Sequence, residues 1–143
     1  MAKIQRRKDS KKDLILQKAA LMLREKGFAA TSMRDLAETV GIEAASLYNH
    51  IQSKSEILQD ITFRIANDCN EHLDSLNNNG MNSTQKIESL IRFHVQMMIN
   101  RFEDYYVMVN EWMHLSEPYL TNFSVQRRNY VRKMEGIIQE GID

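Results

Sequence analysis

Apolar positions along the chain recur at helical rather than alternating spacing nearly everywhere. Leu16, Ala19, Ala20 and Leu23 predict a first helix that stops at Gly27. Thr31 and Ser32 then precede Met33, Leu36, Ala37 and Val40, an i, i+3, i+4, i+7 face with Asp35 in its first turn and a stop at Gly41. Only Ile42 and Glu43 separate this short second helix from a third over 44–51, whose apolar positions Leu47 and Ile51 are one turn apart.

Ser53-Lys54-Ser55-Glu56 reads as a capping box that opens a long fourth helix with Leu58, Ile61, Ile65, Cys69, His72, Leu73 and Leu76 inward. The run Asn77-Asn78-Asn79-Gly80 ends it. A further stripe, Ile87, Leu90, Ile91, His94, Met97, Met98 and Phe102, is followed by Glu103 and Asp104, acids suited to a helix start, and by Tyr105, Tyr106, Val109, Trp112 and Met113 continuing that helix. Pro118, the single proline, fits the first turn of a last helix carrying Tyr119, Phe123, Tyr130, Met134, Ile137 and Ile138. The expected fold class is all-α.

Composition narrows the picture. The chain has 143 residues, 43% hydrophobic and 27% charged, ordinary for a folded domain and against wholesale disorder. The balance of 19 basic against 19 acidic residues conceals an asymmetry: residues 1–60 carry 11 basic and 8 acidic side chains, residues 61–143 carry 8 and 11. Much of the basic excess is in Lys3, Arg6, Arg7, Lys8, Lys11 and Lys12, read as a basic arm over 1–12. A solvated tail explains that arm as well as a nucleic-acid contact does. One cysteine, Cys69, excludes an internal disulfide, and no apolar run approaches the roughly 18 residues of a membrane span, so a cytoplasmic protein is expected.

Two short helices joined by a tight, glycine-containing turn describe a helix-turn-helix, and 33–50 meets that description. The second helix of such a pair must offer small or polar residues at its outward N-terminal face to enter a major groove, while Leu47 and Ile51 hold it down. Ala44, Ala45, Ser46 and Asn49 suit that face; Tyr48, His50 and Lys54 surround it with groups able to reach phosphates, and the cap at Ser32 adds helix N-terminal N–H donors. Spacing alone leaves open a plainer reading, two helices that abut with no DNA role.

The stretch ILQKAALMLREKGFAATSMRDLAETVGIEAASLYNHIQSKSEIL, residues 15–58, resembles the DNA-binding domain of the TetR family of bacterial transcriptional regulators. The resemblance implies a homodimeric, ligand-released repressor on a palindromic double-stranded operator. It carries DNA contacts onto Thr31 or Ser32, Arg34, Ala44, Ala45, Ser46, Tyr48, Asn49, His50 and Lys54. Two positions depart from the family pattern: Glu43 stands where a capping Ser or Thr is common, and Ile51 replaces an aromatic.

The implied organisation is an arm (1–12), a DNA-binding domain (13–58) and a helical effector-binding and dimerisation domain (59–143). The family's fold implies two more helices beyond Asp143 that form most of a dimer interface. The pattern EWMHLSEPYL…QRRNYVRKMEGIIQEGI resembles members that sense acyl-CoA thioesters.

The second unit concentrates Phe93, His94, Met97, Met98, Phe102, Tyr105, Tyr106, Met108, Trp112, Met113, Tyr119 and Phe123, soft side chains expected to line an apolar cavity for a small-molecule effector, with Arg127 toward an anionic head. Packing as ordinary core explains each of them individually as well. His94 and His114 lack partners at ligand spacing, so no metal and no cofactor is expected. No phosphate loop, nucleophile elbow or HExxH pattern supports an enzyme. The competing reading of another kind is a non-specific architectural nucleic-acid binder without a ligand.

Overall fold

In the computed structural model residues 11–143 are described, and among them the chain is helical with no strand. The order is α1 (Lys11–Lys26), α2 (Met33–Val40), α3 (Ala44–Tyr48), α4 (Lys54–Ser75), α5 (Ser83–Asn100), α6 (Phe102–Glu111) and α7 (Tyr119–Ile142). Short 3-10 turns at Leu76–Asn78 and Trp112–His114 follow α4 and α6. The arm residues Lys3, Arg6, Arg7 and Lys8 lie outside the described part. Lys11 and Lys12 belong to α1, where Lys12 pairs with Glu56 at 3.5 Å and Asp60 at 3.1 Å.

The breaks fall where backbone chemistry demands them. Gly27 (φ 79°) and Gly41 (φ 81°) adopt the left-handed conformation that a side chain disfavours, and the Gly41 N–H donates to the Ala37 and Glu38 carbonyls to close α2. Ser32 caps α2 by accepting from the Asp35 N–H at 3.0 Å.

The third helix is shorter than expected, ending at Tyr48 instead of Ile51. Ser53 must be extended (φ −157°) to cap α4, so the chain unwinds over Asn49–Gln52 to reach it. The capping pair at α4 is also displaced: Ser53 Oγ accepts from the Glu56 N–H at 3.2 Å, but the Glu56 carboxylate accepts from Gln52, not Ser53, at 2.8 Å. A reciprocal box at α5, Asn82 with Gln85 at 2.9 and 3.0 Å, was hidden in the polar run before it.

The main core runs across residue 58 into the second unit. Ile15, Leu23, Leu36, Leu47, Ile51 and Leu58 pack in one cluster with Val107, Leu115 and Phe123 from α6, the loop after it and α7. Each such buried Leu or Ile contributes about 1.5–3 kcal/mol. The N-terminal helices are thus built onto the second unit rather than strung from it. Smaller clusters hold the far end: Leu73, Leu76, Leu90 and Ile137, and Ile65, Cys69 and Met97.

Pro118 caps α7 rather than lying in its first turn, and Trp112 and Met113 leave α6 for a 3-10 turn. Three residues expected inward on α5 and at the start of α6 are exposed: Ile91 (59%), Met98 (46%) and Phe102 (42%). With Val95 and Ile99 they form an uncovered apolar stripe. The inward face of α5 is carried by Leu90 and Met97, so the helix is apolar over a wider arc than one neighbour can cover.

Candidate nucleic-acid interface and effector region

Leu47, fully buried, pins α3 to the core, and its neighbours on either side point away from that contact. Ala44, Ala45, Tyr48 and Asn49 are exposed, while Ser46 and His50 are half-buried at the edge. Glu43 precedes α3 without a side-chain cap hydrogen bond, so its carboxylate is left on the surface beside the exposed face of α3. On α2, Ser32 and Arg34 are exposed; Arg34 lies 4.0 Å from Glu38, with 87% of its side chain in solvent.

A shallow concavity of about 590 Å³ joins these elements, with Ser32, Arg34, Tyr48 and Lys54 on its walls together with Ala29, Ala30, Gln52 and Ser53. The N-termini of α2 and α4 both start at its walls, where backbone N–H donors and the positive dipole ends favour an anion. Gln52 and Ser53 are wall residues that the sequence pattern does not mark as contacts, since Ser53 carries the signal of a helix cap.

Two candidates have other duties. Thr31 is 5% exposed and its hydroxyl donates to the Gly27 carbonyl at 2.8 Å, which places it inside, leaving Ser32 as the surface hydroxyl. Lys54 donates from Nζ to the Phe28 carbonyl at 2.9 Å and lies 4.4 Å over the Phe28 ring. Its charge stands at the rim of the concavity while its ammonium braces the loop between α1 and α2.

The aromatic and sulfur-bearing residues of the second unit do not line a single apolar cavity. They divide into two packed groups and an exposed remainder. In the first, Phe93 stacks on His72 at 4.1 Å beside Met97 and Met108, and His94 sits between two phenols, Nδ1 at 3.1 Å from the Tyr105 hydroxyl and Nε2 at 2.7 Å from that of Tyr130. Burial, with a smaller contribution from His72, holds the His94 imidazole below its ordinary range, and burial alone does so for His72; burial, with smaller contributions from Cys69 and Tyr105, raises the phenol of Tyr130.

In the second group Phe123 contacts Trp112 and Phe63, Tyr119 meets the edge of Phe63, and Arg127 lies 5.3 Å over the Trp112 ring. Met98, Phe102 and Met113 are exposed, and Tyr106 is half-buried against Phe102. The concavities present are open and partly polar. One of about 720 Å³ between α4 and α7 includes Phe63, Asn67, Tyr119 and Gln126, and one of about 410 Å³ includes Trp112, Met113 and Arg128. Among the described residues no three His, Cys, Asp or Glu side chains converge as for a metal, and no helix is long and apolar enough to cross a membrane.

Comparison with known proteins agrees with this geometry at both ends of the chain. Residues 15–61 match the pattern of bacterial regulatory proteins of the tetR family, and residues 80–143 match that of the tetracyclin repressor-like C-terminal domain. The chain belongs to the TetR family, whose members are transcriptional regulators and not enzymes.

Among its relatives, the HTH-type transcriptional repressor KstR2 of Mycolicibacterium smegmatis is 27% identical over 134 residues, covering 93% of this chain and 65% of that protein. The chain therefore spans about two thirds of that relative's length. IcaR of Staphylococcus aureus, the negative transcriptional regulator of the biofilm operon icaADBC, is 29% identical over 111 residues, 78% of this chain and 58% of its own. The fold is shared with KstR2 of Mycobacterium tuberculosis, a ketosteroid transcriptional regulator (TM-score 0.88, 21% identity, 95% of this chain and 70% of that one). It is shared also with AibR, solved with isovaleryl coenzyme A and operator DNA (TM-score 0.78, 20% identity, 92% and 71% covered).

Proposed function

We propose that the protein is a sequence-specific DNA-binding repressor that acts as a homodimer on a palindromic operator and is released by a small amphipathic effector. The observation that carries the reading is the face of α3: Leu47 is wholly buried while Ala44, Ala45, Tyr48 and Asn49 stand free of it, beside the exposed Ser32 and Arg34 of α2. Small residues allow close approach to base edges, Asn49 can pair with adenine, and Tyr48, Arg34 and the helix N-termini can hold phosphates. Ser46, His50 and Lys54 complete the rim.

Dimerisation is supported by the apolar stripe on α5, since Ile91 and Ile99 are 59% and 73% exposed. A two-fold assembly would hold two α3 helices about 34 Å apart, one turn of DNA. An acyl-CoA thioester is the effector class favoured by the resemblance of the second unit and by the ligand seen with AibR; the exposed arginines at 127, 128 and 132 offer charge to an anionic head. Release requires that the effector bind the DNA-incompetent arrangement more tightly, and the shift is limited by that difference.

Fluorescence anisotropy on DNA from the protein's own upstream region against scrambled DNA, at two salt concentrations, tests the reading. The expected result is saturable, sequence-dependent binding that Tyr48→Ala abolishes and acyl-CoA thioesters weaken. Equal, strongly salt-dependent binding to both duplexes would replace it with the architectural reading. Operator affinity unchanged by any thioester would remove the proposed effector class.

A further inference from the structure

The loop that feeds the helix-turn-helix is gripped by the second unit at one residue. Beyond the Gly27 N–H, which still donates to Leu23 at 2.8 Å, the next amide is that of Phe28, in the loop past the C-terminus of α1. It is taken up by the Glu111 carboxylate at the end of α6, with Oε2 accepting at 3.3 Å across 83 residues of sequence.

His114, just after α6, stacks on the Phe28 ring with centroids 5.4 Å apart and planes 19° from parallel, and its Nε2 lies 3.4 Å from Glu111 Oε2. From the head's own side Lys54 takes the Phe28 carbonyl and covers its ring. The fit is tight: a Cβ on Gly27 would stand 3.3 Å from Glu111 Oε1. Glu111 keeps only 15% of its side chain in solvent, and Leu115 next to His114 is buried in the core shared with the head.

We infer that Glu111 and His114 are positioning residues for DNA recognition, holding Phe28 so that the head keeps a fixed angle to the second unit. The inference rests on the DNA-binding reading above. Neither residue lies on the α2–α3 face, so neither would touch DNA. α2 begins only five residues after Phe28, at Met33, and carries α3 with it through the buried Leu36 and Leu47. A head free to rock about this loop would present α3 at a range of angles, and a dimer of such heads would tolerate a range of half-site separations. A clamped head accepts one. The charge on Glu111 strengthens its hold on the amide, and the planar stack of His114 fixes the ring's rotation.

The test measures two properties in the wild type, Glu111→Ala, Glu111→Gln and His114→Ala. The first is hydrogen exchange at the Phe28 amide. The second is affinity for an operator selected from a random-sequence duplex pool, compared with versions lengthened or shortened by one and two base pairs at the centre. In Glu111→Ala the Phe28 amide should exchange at least about tenfold faster, binding to the wild-type spacing should weaken about tenfold, and the preference among spacings should flatten while scrambled DNA binds as before.

Glu111→Gln retains an acceptor and should restore the spacing preference. His114→Ala leaves the carboxylate in place and should move both readouts the same way by less, which keeps the test decisive if Glu111→Ala does not fold. A Glu111→Ala protein with wild-type spacing preference, whatever its exchange rate, overturns the positioning role alone. A wild type with no sequence preference overturns the DNA-binding reading and this role with it.

Discussion

The hydroxyl of Tyr130 on α7 lies 2.7 Å from Nε2 of His94 on α5, and because Nδ1 meets Tyr105 on α6 the ring joins three helices through its two nitrogens. A neutral imidazole serves this arrangement, accepting from one phenol and donating to the other. Burial lowers the tendency of His94 to protonate, and neighbouring His72 lowers it further.

The unfolded chain has no such constraint and takes up a proton near the ordinary value of 6.5. Unfolding therefore binds protons below that value, so the stability contributed by the neutral ring is complete above about pH 6.5 and is lost as pH falls toward the depressed folded value. Thermal midpoints measured from pH 8 to 5 should decline on the acid side, and the decline should be shallower in His94→Gln. Parallel profiles for the two proteins would assign the acid sensitivity to other groups, His72 first among them.

On the proposed DNA face, Arg34 and Asn49 should separate positioning from reading. Arg34 is a nearly free cation, so Arg34→Gln should weaken binding to all duplexes alike and reduce the slope of log K against log salt by about 1. Asn49→Ala should cost about 1–3 kcal/mol on the selected operator and little on scrambled DNA, because a bidentate base contact carries discrimination. An unchanged specific-to-scrambled ratio in Asn49→Ala would take Asn49 out of the reading set.

The head was legible because local chemistry and tertiary packing agree there. Gly27, Ser32, Gly41 and Ser53 mark element ends by backbone preference alone, and Leu36, Leu47 and Ile51 have the spacing that a buried contact requires. What the pattern hid was long-range. Phe28 and Glu111 are 83 positions apart, and nothing local to either announces an amide–carboxylate pair.

Likewise Ile91 and Met98 carry the spacing of a buried face but lie in solvent, since periodicity reports that a face is apolar and not which neighbour covers it. The division of the second unit's aromatics into two groups was hidden for a related reason. Residue type shows that rings will cluster, while their division around His94 and around Phe123 depends on how α5 and α7 cross α4.

Cys69 is buried among Ile65 and Met97, and burial pushes its thiol up to about 11, with Asp68 adding to the rise. Thiolate is the reactive form, so at neutral pH almost none is present and what exists is shielded. A disulfide reagent such as DTNB should label the native protein at pH 7.5 orders of magnitude more slowly than protein unfolded in guanidinium. Rapid stoichiometric labelling of the native protein would show that the α4–α5 packing opens readily.

Two glycines should respond to alanine in opposite directions, and the contrast isolates backbone from packing. Neither a Cβ on Gly41 nor one on Gly136 would meet any atom within 4 Å, so sterics with neighbours do not distinguish them. Gly41 holds φ at +81° to end α2, a conformation in which a side chain costs about 1–2 kcal/mol. Gly136 sits inside the long helix α7, where alanine gains about 0.5–1 kcal/mol by restricting the unfolded chain and favouring helix.

Urea denaturation should therefore place the midpoint of Gly41→Ala below the wild type and that of Gly136→Ala above it, with unchanged slopes. The Gly41 variant should also lose operator affinity, since the turn it closes sets α3 against α2. A Gly136→Ala midpoint at or below the wild type would mean that α7 needs flexibility at this point, or is covered there by a neighbour that leaves no room for a methyl group.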